Sequence, residues 1–294
     1  MKILHVVPGL EEGGNGIAVA ARLIAAEQGA DLIEARLFAG GDGELDGYDE
    51  VWVHSCWLPM TLKSCRRVLR AGKPLVRMMH GNLDPVRLKY HGWMKRLVGP
   101  IERWCLRRCD RIVATCAAEK EWIEAYLGKK CPVVEVTDIK RFFKLERDFG
   151  REGKTDASPK GRDSLHILYL GRRHPLKGVA YLEEVVKGIE GCELRVVCNA
   201  FGAEKERVWD WCDVLVLPTL SDNFGLVVAE ALERGKRVIT TDGAPAWNHE
   251  IHETHEKGVW SGYGGRLVYL KGYRDGTDEE RVELLKKAME RICK

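Results

Sequence analysis

The sequence lacks the features of a protein that crosses a membrane or leaves the cell. No apolar run reaches 18 residues, so no segment is long enough to span a bilayer as a helix. Residues 1–9 are typical of a strand and a turn, without the small-residue cleavage site of a signal peptide. None of the 10 cysteines forms a Cys-x-x-Cys pair, which favours reduced thiols over disulfides or a zinc site. We therefore expect a cytoplasmic protein.

Two further patterns are absent. The glycine-rich loop Gly13-Gly14-Asn15-Gly16 does not have the Gly-x-Gly-x-x-Gly spacing of a dinucleotide fingerprint. It is either a flexible turn or a loop whose backbone N–H groups approach a phosphate or sugar oxygen.

No repeat of solenoid length occurs. With 294 residues, 45% of them hydrophobic and 31% charged, the chain has the composition of a globular protein with two ordinary domains or one large one.

Predicted strands and helices alternate on both sides of a charged, glycine-containing stretch at 146–163. Such alternation predicts parallel sheets with right-handed crossovers, and the low hydrophobicity of the stretch predicts a linker. We therefore expect an α/β protein with two doubly wound, Rossmann-like domains at 1–145 and 164–294. Ligands bind such sheets at the C-terminal ends of the strands, so a cleft between the domains is the expected site. Leu32–Phe38 is expected to form one strand, and Trp247–Glu256 a helix.

One stretch of the second half combines a strand end, capping residues and two carboxylates. Leu215–Leu217 predicts a buried strand that Pro218 ends, and Ser221–Asn223 are N-cap residue types before an apolar helical pattern that starts at Phe224. A strand–loop–helix unit of this kind offers N–H groups to anions and polyhydroxyl ligands. Glu230 lies eight positions after Asp222, either on a solvated helix face or as a carboxylate that receives sugar or ribose hydroxyls.

The segment 221–232, Ser-Asp-Asn-Phe-Gly-Leu-Val-Val-Ala-Glu-Ala-Leu, resembles the signature of retaining GT-B glycosyltransferases of family four, the lipopolysaccharide- and capsule-type group 1. In that signature two acidic residues enclose seven others. Here Asp222 replaces the usual glutamate and is shorter by one methylene. The resemblance implies a compact GT-B fold in which two Rossmann-like domains face a cleft. The acceptor-side domain would cover 1–145, the linker 146–163, and the nucleotide-sugar donor-binding domain 164–294.

The resemblance also implies where the donor binds. Residues 171–178 have the order Gly-Arg-x-x-x-x-Lys-Gly, which the family uses on the donor diphosphate, although a solvated basic loop is the alternative. Arg172 and Lys177 would then stabilise the departing nucleotide. The sequence contains no Asp-x-Asp, which predicts a metal-independent enzyme without a cofactor rather than a GT-A enzyme. The predicted donor-binding residues are Gly13, Gly14, Asn15, Arg172, Lys177, Asn223, Phe224, Gly225, Leu226 and Glu230.

In the first half, His80-Gly81 follows a predicted strand and resembles the His-Gly of the family that lies near the transferred sugar. His80 would hold a sugar hydroxyl or orient the acceptor, and the alternative is a histidine that caps a turn. His80, Asp222, Arg172 and Lys177 are the predicted catalytic residues. His54, Trp57 and Asn82 are the predicted acceptor-binding residues, with a core position as the alternative for Trp57.

The net charge of +3 is unevenly distributed. Residues 61–111 contain 14 Lys and Arg against three acids, and the segment within them at 91–109 also contains Trp93 and Trp104. Peripheral contact of this region with an anionic membrane is one interpretation. A solvated basic surface over buried tryptophans is the other. No nucleic acid partner is expected, because no recognition motif accompanies the basic residues.

The predicted function is transfer of a sugar from a nucleotide-diphosphate sugar to a hydroxyl of a glycan or lipid-linked acceptor, with retention, in cell-surface polysaccharide biosynthesis. The expected location is cytoplasmic, with peripheral contact at the inner face of the membrane. Two alternatives remain open. One is a non-catalytic glycan or nucleotide-sugar binding module with a degenerate GT-B fold, suggested by Asp222 and the small donor domain. The other is a sugar-nucleotide epimerase.

Overall fold

The computed structural model describes residues 1–10, 16–41, 45–90, 92–145, 164–198, 200–250 and 258–293. The chain forms two compact units, Met1–Ile139 and Lys140–Lys294. Residues 140–145 belong to the second unit, because the backbone N–H of Lys144 donates to Glu233 at 3.1 Å and Phe143 stacks on Phe224. The predicted linker at 146–163 and the glycine-rich residues Gly13, Gly14 and Asn15 lie outside the described residues.

The described part of the first unit contains a six-stranded parallel sheet with the order β2-β1-β3-β4-β5-β6. Its strands are β1 Ile3–Val7, β2 Asp31–Glu34, β3 Glu50–His54, β4 Leu75–Met78, β5 Arg111–Ala114 and β6 Val133–Val136. Its helices are α1 Gly16–Gln28, α2 Ala35–Gly40, α3 Pro59–Arg70, α4 Pro85–Lys89, α5 Gly92–Leu106 and α6 Ala117–Leu127. Short 3-10 helices cover Gly128–Lys130 and Ile139–Phe142.

The first-unit core lies on both faces of this sheet. Leu4, Val6 and Val53 pack in a large apolar cluster on one face. On the other face Val7 packs against the small residues of α1. Parallel strands that are covered on both sides contain few polar residues. The polar residues that do occur inside these strands are therefore informative.

The described part of the second unit contains another six-stranded sheet, with the order β11-β12-β10-β9-β7-β8. Its strands are β7 Leu165–Leu170, β8 Cys192–Val197, β9 Val214–Leu217, β10 Arg237–Thr241, β11 Gly258–Gly262 and β12 Leu267–Lys271. All pair in parallel except β11, which is antiparallel to β12. The helices are α7 Val179–Lys187, α8 Gly202–Trp211, α9 Leu226–Glu233 and α10 Asp278–Cys293, with 3-10 helices at Pro175–Lys177, Pro245–Glu250 and Tyr263–Gly265.

The predicted α/β class with two parallel-sheet units is confirmed, but individual elements differ. The strand predicted at Leu32–Phe38 is wrong beyond Glu34, where the chain turns into α2. Ala35 and Phe38 are both fully buried, and their spacing of three suits one face of a helix. The antiparallel edge strand β11 was not predicted. No helix in the described ranges is long and apolar enough to cross a membrane.

Two helix predictions in the second unit also need correction. The helix expected from Phe224 begins at Leu226, because Gly225 has a φ of 66° and interrupts the helical backbone. The chain at Trp247 forms the 3-10 helix Pro245–Glu250, not an α-helix, and the rest of that predicted element lies outside the described residues.

Candidate active site

Three loops at the C-terminal ends of β7, β9 and β10 are joined by backbone hydrogen bonds. Leu220 N donates to Leu176 O at 2.8 Å, which joins the first two loops. Asp222 N donates to Gly243 O at 2.6 Å, which joins the second and third. The loops that the sequence marks as separate motifs therefore form one structure at the edge where parallel sheets bind ligands.

These loops cross too closely for side chains at two positions. A Cβ added at Gly178 would lie 1.9 Å from the carbonyl oxygen of Pro218, and Gly178 has a φ of 66°. A Cβ at Gly243 would lie 2.1 Å from the carbonyl oxygen of Thr219. Only glycine lets the backbones approach this far.

Two of the predicted site residues are in direct contact here. Lys177 Nζ forms an ion pair with Asp222 Oδ2 and also donates to Ser221 O at 3.2 Å. The other carboxylate oxygen, Asp222 Oδ1, accepts from Gly225 N at 3.1 Å. Both side chains are largely buried, with 11% exposure for Lys177 and 26% for Asp222. The shorter carboxylate of Asp222 is thus held from both sides, by a cation and by the backbone before α9.

The second carboxylate of the predicted pair has a different lysine. Glu230, on α9, forms an ion pair with Lys205 of α8 at 2.7 Å. Its neighbours Ala229 and Ala231 are fully buried, so an unpaired carboxylate here would be costly. The acidic pair of the signature is therefore two separate ion pairs. No sequence pattern pointed to Lys205.

The remaining predicted donor residues that the structure describes differ in their burial and contacts. The side chain of Phe224 is buried against Phe143 and Trp247, and its carbonyl oxygen accepts from the Trp247 indole N–H. Asn223 is buried and Leu226 is partly buried. Arg172 has an exposed side chain, and its carbonyl oxygen accepts from the hydroxyl of Tyr169 at 2.8 Å. Burial, and then the nearby Asp222, raise the pKa of Tyr169, so this hydroxyl keeps its proton.

The corresponding edge of the first unit has an unusual backbone. Ser55, Trp57 and His80 have φ values of 71°, 70° and 54° in the segments that follow β3 and β4. A non-glycine residue in this region costs on the order of 1–3 kcal/mol and is enriched at functional sites. Two predicted site residues, Trp57 and His80, are therefore held in strained conformations, together with Ser55.

A buried ion pair forms hydrogen bonds to the backbone at this edge of the sheet. Arg77, in β4, contacts Glu102 of α5 at 2.8 Å, and both side chains are fully buried. Arg77 also donates to Ser55 O at 2.8 Å, and Glu102 accepts from Trp57 N at 3.0 Å. Burial by itself lowers the pKa of Arg77, but the neighbouring Cys65 and Glu102 outweigh it, and the net effect is a raised pKa. Arg77 therefore stays charged, and the pair binds two of the strained residues, Ser55 and Trp57.

A second buried carboxylate holds the loop after β4. Glu119, in the first turn of α6, accepts from Gly81 N through Oε1 and from Thr115 N and Oγ1, both at 2.8 Å, through Oε2. It is fully buried. Glu119 thus fixes the backbone directly after His80.

The three predicted acceptor residues lie together, in different environments. Asn82 Nδ2 donates to Ser55 Oγ at 3.0 Å, and Asn82 O accepts from the indole N–H of Trp57 at 3.0 Å. Trp57 is partly buried and packs edge-on against Tyr126. His54 is fully buried, behind His80. A role for these residues in acceptor binding stays a prediction.

His54 is the middle member of a hydrogen-bonded row of three histidines. His5 Nδ1 lies 2.8 Å from His54 Nε2, and His54 Nδ1 lies 2.8 Å from His80 Nε2. His5 Nε2 lies 2.8 Å from Oε1 of Gln28, at the end of α1. Burial lowers the pKa of His5 to about 4 and that of His80 to about 3, and it lowers the pKa of His54 as well. All three rings are therefore neutral near pH 7.

No sequence motif identified five further residues of this edge: His5, Gln28, Arg77, Glu102 and Glu119. Two of them left a signal. His5 interrupts the apolar strand Ile3–Val7, and Arg77 interrupts Leu75–Met78. A polar residue inside a buried strand needs a partner, so each position predicts a neighbour that the sequence does not identify.

Known structures share this fold over the full length of the chain. A sucrose-phosphate synthase from Thermosynechococcus elongatus has a TM-score of 0.66 at 15% identity, with 100% of this chain and 90% of that chain covered. The Anabaena protein Alr3699/HepE, solved with UDP, has a TM-score of 0.62 at 15% identity, with 99% and 90% covered. The lipopolysaccharide outer core galactosyltransferase WaaB has a TM-score of 0.56 at 13% identity, with 100% and 92% covered. The architecture is that of GT-B glycosyltransferases.

Matches to family models assign the chain to a particular family of glycosyltransferases. Residues 19–136 match the Glycosyltransferase Family 4 model, and residues 157–263 match Glycosyl transferases group 1. No curated protein sequence matches the chain significantly. The chain belongs to the family 4, group 1 glycosyltransferases, which confirms the predicted resemblance, and it is an enzyme that uses nucleotide sugars.

Proposed function

We propose that the enzyme transfers a hexose from a nucleotide-diphosphate sugar to a hydroxyl of a glycan or lipid-linked acceptor, with retention and without a metal ion. The carrying observation is the contact between Lys177 and Asp222 beside the N–H of Gly225. A lysine at this position supplies charge to the diphosphate, and Arg172 adds an exposed cation from the same loop. Asp222 accepts hydrogen bonds from hydroxyls of the sugar, and Glu230 accepts them from hydroxyls of the ribose.

In the proposed reaction, the bond between the anomeric carbon and the β-phosphate oxygen breaks. The acceptor oxygen bonds to the same face of the sugar, and its proton passes to the departing phosphate. Arg172 and Lys177 offset the charge that develops on this leaving group. No separate general base is needed in this scheme.

Donor binding can be tested with a panel of UDP-, GDP-, ADP-, CMP- and dTDP-sugars in EDTA. We expect one nucleotide to raise the melting temperature of the wild type and of Lys187→Ala, a control on the exposed end of α7, but not of Lys177→Ala. UDP-glucose is tested first, because Alr3699/HepE was solved with UDP and glucose. No shift with any nucleotide would overturn the donor site.

Turnover needs a second assay. Sugar phosphates and lipid-linked glycans are offered as acceptors, because the structural relatives include sucrose-phosphate synthase and WaaB. We expect a product whose anomeric proton coupling matches that of the donor, in undiminished yield in EDTA. An inverted product would refute retention, and a strict requirement for added Mg²⁺ would refute metal independence. Saturable binding with no product or hydrolysis would favour a binding module.

The outer face of α5 carries exposed apolar residues that could contact a membrane, where a lipid-linked acceptor would be found. Trp93, Leu97, Ile101 and Trp104 are spaced by four, four and three residues, and their exposure ranges from 41% to 71%. The interpretation that both tryptophans are buried is therefore wrong. This spacing forms one helical face, and tryptophans beside cations suit the interface of an anionic membrane.

Cations lie next to this face. Arg108 stacks over the ring of Trp104 at 4.3 Å, and these two residues share a groove with Arg66 and Arg70 of α3. We propose that the α5 face binds an anionic bilayer, where a lipid-linked acceptor would be present.

Liposome sedimentation tests this contact. We expect the protein to pellet with anionic phosphatidylglycerol vesicles at low salt, and much less with neutral phosphatidylcholine vesicles. Leu97→Glu should abolish pelleting, while Leu37→Glu, on the exposed side of α2, should not. Failure of the wild type to pellet, or equal loss in both variants, would refute the proposal.

A further inference from the structure

The histidine row runs from β1 across β3 to the end of β4, on the face of the first-unit sheet that α1 covers. It begins at Gln28, which is partly exposed, passes through the fully buried rings of His5 and His54, and ends at His80. His80 is 8% exposed. In the described part of the chain no group hydrogen-bonds to Nδ1 of His80, which is thus the open end of the row.

The protons in this row must all point the same way. A neutral imidazole has one N–H and one lone pair, and each bond between two rings uses one of each. If His5 Nε2–H donates to Gln28 Oε1, then His54 Nε2–H donates to His5 and His80 Nε2–H donates to His54. Nδ1 of His80 is then a lone pair. If the amide of Gln28 donated instead, every bond would reverse, and Nδ1 of His80 would carry a proton.

The charged groups around the row do not change the direction of its hydrogen bonds. Glu50, the acid whose charge acts on His5, accepts from the indole of Trp52 at 2.6 Å and from Arg111 at 2.9 Å, so its charge is already paired. Arg77 lies on the opposite face of the sheet, because it pairs with Val53 in register while His54 pairs with Met78.

We propose that Gln28, acting through His5 and His54, fixes His80 as the Nε2–H tautomer, so that its Nδ1 accepts a hydrogen bond from a hydroxyl of a sugar substrate. Gln28, His5 and His54 are positioning residues. The tautomer follows from the row with Gln28 Oε1 facing His5 Nε2, while the sugar hydroxyl as its partner rests on the proposed function. A neutral ring of this tautomer orients a hydroxyl without removing its proton.

The tautomer can be read directly by long-range ¹H–¹⁵N correlation of the histidine rings at about pH 8, in the full-length protein. An unprotonated ring nitrogen resonates far downfield of a protonated one, which identifies the tautomer. We expect Nδ1 of His80 to be unprotonated in the wild type. Gln28→Glu has only acceptor atoms at this position and should give the same spectrum. Gln28→Met removes the acceptor at similar size and should mix the two tautomers of His80.

Ala26→Met places the same side chain on the exposed side of α1, away from the row, and should leave the His80 signals unchanged. A protonated Nδ1 in the wild type would overturn the inference. So would a His80 spectrum that Gln28→Met does not alter.

Kinetics then test the ligand. With the donor found above, Gln28→Met should lower kcat/KM by about fivefold, the effect of one weakened hydrogen bond, and Gln28→Glu should restore it. The two hypotheses fail separately. Lack of transfer by every variant with the expected spectra would refute the proposed function alone, whereas transfer insensitive to Gln28→Met would refute the role of Nδ1.

Discussion

Acidification is expected to destabilise the first unit much more than the second. Among the described residues the buried histidines are His5, His54 and His80, all in the first unit. Burial lowers their pKa values, to about 4 for His5 and about 3 for His80. In the unfolded chain a histidine has a pKa of about 6.5. The unfolded state therefore binds more protons below that pH, so stability is complete above about pH 6.5 and falls as the pH falls.

The size of the effect at about pH 5.5 depends mainly on the unfolded chain. One unfolded histidine gains RT ln(1 + 10), or about 1.4 kcal/mol, from protonation at this pH, while the buried ring stays neutral. Three histidines together give about 4 kcal/mol, a large fraction of the 5–15 kcal/mol by which native proteins are typically stable. Most carboxylates have ordinary pKa values near 4 and therefore titrate below about pH 5.5.

Methionine oxidation by peroxide in increasing urea can measure each unit separately. Met78 and Met79, at the end of β4, and Met289, in α10, are fully buried, so each is oxidised when its unit opens. Between about pH 8 and pH 5.5, the stability reported by Met78 and Met79 should fall by about 4 kcal/mol. The stability reported by Met289 should change much less.

A variant isolates the contribution of one ring. His5→Leu should reduce the pH dependence at Met78 by about 1.4 kcal/mol, whatever it does to stability at about pH 8. Equal pH dependence at Met78 and Met289, or an unchanged dependence in His5→Leu, would refute the reasoning.

Three further substitutions test other parts of the structure. Glu102→Gln should cost about 3–5 kcal/mol in the Met78 assay, because it leaves the buried charge of Arg77 uncompensated. Gly178→Ala should lower the stability reported by Met289 by about 3 kcal/mol, since the added Cβ meets the Pro218 carbonyl; an effect within about 0.5 kcal/mol would contradict that crossing. Asp222→Asn, which removes the charge, should lower kcat/KM for transfer by about 100-fold. The control variant Asp222→Glu keeps the charge and should retain activity.

The sequence was most informative where one segment decides the structure. Apolar runs such as Leu215–Leu217 predict strands because they are short and end at Pro218 or similar residues. It failed at Ala35–Gly40, whose apolar residues satisfy both a strand and a helix until packing selects the helix. The later start of α9 was not predicted either, because the positive φ of Gly225 belongs to a loop held by Asp222.

The partners of the site residues were the least predictable part. His5 and His54 are 49 positions apart, and His54 and His80 are 26 apart. They meet because β1, β3 and β4 are neighbours, and that strand order is a property of the whole sheet. Lys205 and Glu230 meet in the same way, through the packing of two helices.

The glycine crossings in the loops after β7 and β10 restrict how this edge of the second unit can change during evolution. Gly178 and Gly243 leave no room for the backbone to be remodelled, because each passes within contact of a carbonyl oxygen from another loop. A length change in one loop would displace the other two. Divergence among related enzymes should therefore be found in side chains that project from these loops, such as that of Arg172, while loop length and the crossing glycines stay constant.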